Sequence, residues 1–175
     1  ISLVASTPSG SISRDALAEL VYLANESDLV SLGPDLSNNS ETTLAMLRLL
    51  AETRASIVIP PQSVEQLLPE AGEWKNKENL LMFLNHKQLY KLASRLAVDA
   101  SIPLNPTPDT VAEIALAVSK EFSPSLVVQF EDSSIVAVNG KASATKAPIN
   151  VGLLGTFWLQ NESKRYEALT TALVA

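Results

Sequence analysis

Apolar residues occur along this chain as short continuous runs, and between the runs they recur at helical spacing. Residues 1–6 (ISLVAS) read as a buried strand, followed by a Thr7-Pro8-Ser9-Gly10 turn. Over 13–26, Leu17, Leu20, Val21 and Ala24 repeat with the helical period, and Ser13 is placed to cap that helix. Strand 28–33 (DLVSLG) ends in Gly33-Pro34. A polar loop over 35–39 leads to a helix over 41–53 capped by Ser40. Strand 56–60 (SIVIP) stops at Pro60-Pro61, because proline cannot continue a ladder. A short helix over 62–68 and a polar turn through Gly72 precede strand 79–85 (NLLMFLN) and a helix over 87–97. The proline-rich residues 101–108 predict a loop, and Thr107 or Asp109 opens a helix over 110–122. Strands 125–130 and 134–140 are separated only by 131–133, which predicts a hairpin. One helix starts near Ile149 and another from about Glu162.

Continuously apolar strands separated by helices imply a parallel sheet covered on both faces. The expected architecture is a single domain over 1–175. It is a three-layer α/β sandwich, mostly parallel, with an antiparallel hairpin near one edge. Ligands on such sheets bind beyond the carboxyl ends of the strands. That directs attention to residues 33–39, 60–63, 84–87, 129–132 and 146–150.

Composition narrows the chemistry. With 46% hydrophobic and 18% charged residues, the 175-residue chain is globular rather than disordered. A net charge of −6 opposes a broad nucleic-acid or anionic-membrane surface, so neither is an expected partner. Cysteine is absent, which removes disulfide and thiolate chemistry. The single histidine, His86, argues against a histidine-based zinc centre, and no metal ligand is assigned. No apolar run reaches the roughly 18–20 residues of a membrane span, and residues 1–6 carry no basic leader. A cytoplasmic location is the expectation. There is no G-x-S-x-G, no P-loop and no G-x-G-x-x-G, so hydrolase, P-loop and Rossmann readings lack their motifs.

Four stretches together resemble the ribokinase-like superfamily, nearest to its NAD(P)H-hydrate dehydratase branch, often labelled carbohydrate kinases. Residues 28–50 look like that branch's strand, G-P-G-L-G loop and helix. Residues 56–67 stand where the family has a strand ending in D-A-D-A-L. Residues 80–92 resemble the strand and T-P-H-P-G-E-F turn, or the P-N-x-x-E turn of sugar kinases. Residues 126–141 and then 147–161 resemble K-G-x-x-T and G-T-G-D-V-L-A-G-I. The likeness is strongest in the order and spacing of elements. It implies a domain without the family's first strand–helix units, which would lie upstream of Ile1. The dehydratases use ADP or ATP to repair hydrated NADH and NADPH through a phosphorylated intermediate, and the kinases transfer the γ-phosphoryl of ATP to a hydroxyl. In both, the G-T-G-D turn supplies an anion hole at a helix N-terminus, and its Asp acts as base.

The resemblance places the catalytic Asp at Asn150, whose amide is not basic. It places the nucleotide contacts at Gly33, Asn85, Gln129 and Ile149, and the substrate contacts at Asp35 and His86. The letters depart at each site. Ala147, Pro148 and Ile149 replace G-T-G; Pro148 lacks an N–H, and Ile149 adds bulk where close approach is needed. Asp35 brings negative charge in place of a glycine. Pro60 and Gln62 replace the D-A-D pair, Gln129-Phe130 replaces Lys-Gly, and Gln88 stands for the Glu.

Each candidate also has a plainer role. Asn150 can be a first-turn residue satisfying backbone groups, His86 a helix-start residue, and Glu131-Asp132 a hairpin turn rather than a Mg²⁺ site. Phe157 and Trp158 suit a core or an interface, and Lys87 and Lys91 a solvated helix face. Three functions follow. The first is a hydrate-dehydratase relative with a degenerate site. The second is a small-molecule kinase with another base. The third is a non-catalytic domain that binds a nucleotide or assembles, as a homo-oligomer, through the helix carrying Phe157 and Trp158. ADP or ATP with Mg²⁺ is the cofactor of an active form, and an inactive form has none.

Overall fold

The computed structural model describes residues 12–33 and 39–175. The expected strand over 1–6, the Thr7–Gly10 turn and Asp35 lie outside them. Six strands form one sheet in chain order: β1 (Leu29–Ser31), β2 (Ser56–Ile59), β3 (Leu80–Asn85), β4 (Ser125–Phe130), β5 (Ser133–Val138) and β6 (Lys141–Thr145). The first four are parallel; β5 and β6 run antiparallel. The fold is the expected three-layer sandwich.

Side-chain alternation explains why the inner strands read as continuous apolar runs. In β3, Leu80, Met82 and Leu84 enter one core, while Leu81 and Phe83 enter the other. Both faces are dry, so both sets must be apolar. The first core is capped by α1 (Leu17–Asn25), α2 (Ser40–Glu52), α3 (Pro61–Leu67), α4 (Ala71–Trp74), α5 (His86–Arg95) and α6 (Pro108–Glu121). The second is capped by α7 (Val151–Gln160) and α8 (Arg165–Val174). Strand order that follows chain order sends the crossovers to one face, which leaves the opposite face to the C-terminal helices. No helix among the described residues is long and apolar enough to cross a membrane.

Four local expectations change. Ser13 does not cap α1 through its side chain: a 3₁₀ turn over Arg14–Ala16 intervenes, and the Ser13 hydroxyl is buried without a partner. Asn39, not Ser40, caps α2, because its side chain accepts the Glu41 N–H at 2.8 Å. The stretch through Gly72 is helical, since Ala71 and Trp74 bury themselves there against Phe122. The single hairpin is a three-stranded meander. Asn139 and Gly140 both take positive φ (46° and 72°), which makes the tight turn into β6.

Candidate functional site

Because β1 to β4 are parallel, their carboxyl ends meet one edge of the sheet, joined there by the β4–β5 turn and the β6–α7 loop. Contacts run along this edge. The Ser63 hydroxyl donates to the Gly33 carbonyl at 2.8 Å. Gln88 donates through Nε2 to the Pro61 carbonyl at 2.8 Å, and its Oε1 accepts the Asn85 N–H at 2.9 Å. Asn85 Oδ1 accepts the Gln88 N–H at 3.0 Å, completing a capping box for α5. His86 meets Phe130 and Tyr90 edge-on, with ring centroids 5.1 and 5.8 Å apart.

A groove of about 520 Å³ lies at the β4–β5 end of this edge, lined in part by Gln129, Glu131, Asp132, Lys146 and Ile149. Gln129 does not reach out of it. Its Nε2 donates to the Glu131 and Ser133 carbonyls at 2.7 and 3.1 Å, tying the turn in which Glu131 holds φ 51°. Lys146 Nζ lies 3.2 Å from Asp132 Oδ2, and both side chains are mostly exposed. This ammonium, by hydrogen bond and charge, holds the Asp132 carboxyl below its ordinary range. The pair therefore favours the folded state above the unfolded carboxyl pKa and loses that contribution as pH falls through the lowered value. Lys146→Ala is expected to move the Asp132 midpoint upward in a carboxyl-carbon NMR titration. An unmoved midpoint would show that Lys146 does not set it.

Ser134 donates to the Ala147 carbonyl at 2.6 Å, which pins the loop over the sheet. Half-buried Ile149 packs against the second core. Asn150 then caps α7: its Oδ1 accepts the Leu153 N–H at 3.0 Å.

The structure thus brings Gln129 and Ile149 together in one groove, with Asn150 beside it in sequence. Gly33, Asn85 and His86 lie along the same edge but do not line that groove. A Cβ added to Gly33 would meet nothing within 4 Å, so no close approach requires a glycine there. Sequence reasoning missed the Lys146–Asp132 pair and Ser134. The Asn139-Gly140 dipeptide, a strong hairpin signal, would have revealed β6 and so the loop that carries Lys146.

The donor set fits an Mg-nucleotide poorly. Asp132 is held by Lys146, the Gln129 amide is closed on its own turn, and one first-turn N–H of α7 is taken by Asn150. Among the described residues no three of His, Asp and Glu converge on one point.

The architecture is that of ribokinase-like proteins. A ribokinase-like superfamily protein from Enterococcus faecalis superposes with a TM-score of 0.65 at 11% identity, over 92% of this chain and 57% of that one. Phosphomethylpyrimidine kinase from Clostridium difficile gives 0.64 at 10% identity, over 98% and 80%. An ADP complex of Bacillus subtilis pyridoxal kinase gives 0.59 at 13% identity, over 97% and 73%. The chain thus spans little more than half the length of the Enterococcus protein. No family model and no curated protein sequence matches it.

Proposed function

We propose that this chain is a ribokinase-fold domain related to the ADP/ATP-dependent NAD(P)H-hydrate dehydratases, with a degenerate and catalytically silent site. One observation carries the reading: the residue at the position of the family's base is an amide, and its oxygen is committed to the Leu153 N–H as the cap of α7. An amide cannot accept a proton near neutral pH, and loss of a general base commonly costs about 100- to 10,000-fold in rate. The groove charges act in the same direction, since Glu131 and Asp132 outnumber Lys146 where a phosphate would approach.

The test is a thermal-shift titration with ADP and ATP, with and without Mg²⁺, followed by calorimetry. Affinity no tighter than about 1 mM and no phosphate release are expected. Asn150→Asp should leave turnover absent and raise stability by about 0.3–1 kcal/mol, because a carboxylate caps a helix N-terminus better than an amide does. Micromolar nucleotide affinity, or turnover in either protein, would overturn the reading. The kinase reading is the second, favoured by the ADP complex among the superposed kinases. Release of ADP from ATP in the presence of a small alcohol would select it.

A further inference from the structure

Away from that edge, on the outer surface of the helical layer, a second groove of about 750 Å³ lies between α5 and the end of α3. Its volume falls in the range of small-molecule sites. Two cations, Lys91 and Arg95, occupy successive turns of α5 and line it. A single carboxylate, Glu65, lies among them and accepts from Lys91 at 2.8 and 3.0 Å. The groove therefore carries one cation more than its anion, on a chain whose net charge is −6.

Two further features point to a ligand. The Tyr90 hydroxyl is closed to solvent and has no hydrogen-bond partner. Burial raises its pKa, so it stays a donor through the physiological range. Ile102, in the loop between α5 and α6, also lines the groove yet is 48% exposed, so an apolar wall stands uncovered beside the charges. A buried donor without an acceptor is a cost that an anionic oxygen would remove. An apolar body would cover Ile102.

We infer that the groove between α3 and α5 binds a small organic anion, its charged end on Arg95 and Lys91 within reach of Tyr90, and its apolar body on Pro69 and Ile102. This site does not depend on the nucleotide reading.

The probe is phenyl phosphate, with inorganic phosphate as the control for the apolar body. His86 is the only histidine and lies edge-on to Tyr90, so its imidazole NMR signals report the groove without ambiguity. Saturable shifts of His86 and of the Tyr90–Arg95 amides are expected with phenyl phosphate, at a Kd of about 1 mM or tighter. Inorganic phosphate should bind at least about fivefold more weakly, for want of the apolar contact. Arg95→Gln should weaken phenyl phosphate about tenfold. Glu65→Gln should tighten it about threefold by freeing Lys91. These are surface changes, and an unchanged amide spectrum confirms the fold of each. Absence of saturable shifts would overturn the inference. So would equal binding of the two probes, or affinity unchanged in Arg95→Gln.

Discussion

Trp158→Ala is expected to lower the unfolding free energy by about 4–5 kcal/mol in urea denaturation, the largest effect of any single change considered. The indole is wholly buried between α7 and the sheet. Its Nε1–H donates to the Ser125 hydroxyl at 2.9 Å, a contact inside the core between residues far apart in sequence. The Arg165 guanidinium lies 4.6 Å from the ring centroid and donates to the Glu78 carbonyl at 2.6 Å. Truncation therefore opens a cavity, leaves a buried hydroxyl unpaired and removes a cation–π contact. Trp158→Phe should cost roughly half as much, since it keeps most of the apolar volume. Because Trp158 anchors the helix that Asn150 caps, the alanine variant should also broaden the Asn150 and Lys146 amide signals. A loss under about 2 kcal/mol would mean that α7 is not what seals this face.

Gln88 carries the second large effect. It is 3% exposed and ties three pieces of backbone: the Pro61 carbonyl, the Asn85 N–H and, through Asn85, its own N–H. Gln88→Ala should cost about 2–3 kcal/mol, because it breaks the capping box and leaves the Pro61 carbonyl without its donor. Gln88→Glu, which restores the residue of the resembled family, should not be neutral. The introduced carboxyl faces a carbonyl oxygen and must keep its proton to donate to it. Its folded pKa is then raised above the unfolded value of about 4.3. Its stabilising contact is fully present below that unfolded value and is lost as pH rises through the raised folded pKa. Unfolding midpoints at pH 5 and pH 8 would show the variant losing stability against the native chain at the higher pH. A constant difference would sink the argument.

The two substitutions bear on the candidate site in the same way. Where the resembled family spends polar side chains on a ligand, Gln88, Gln129 and Asn150 spend theirs on the chain's own backbone. An amide used in this way stabilises the edge of the sheet and leaves little to offer a phosphate. The conclusion is stronger for Asn150 than for His86. The His86 ring is half-buried between Phe130 and Tyr90, and its contacts are aromatic.

Much of this was legible along the chain. Runs such as 79–85 and 125–130 are apolar at every step, and only a strand with two dry faces demands that. Their alternation with helical periods determined a parallel sandwich, and parallel strands determined which edge carries the loops. The meaning of Asn150 as a non-base also followed from its amide alone. Tertiary structure decided the rest. β6 reads KASAT, too small and polar to announce a strand, and becomes one because β5 pairs with it from Ser134 to Val138. Trp158 could be core or interface until α7 laid it over Ser125, 33 residues away. Gln88 could meet a ligand until folding brought Pro61 to it from 27 residues away. A side-chain amide carries donors and an acceptor whatever its neighbours, and only the folded backbone determines which groups come close enough to use them.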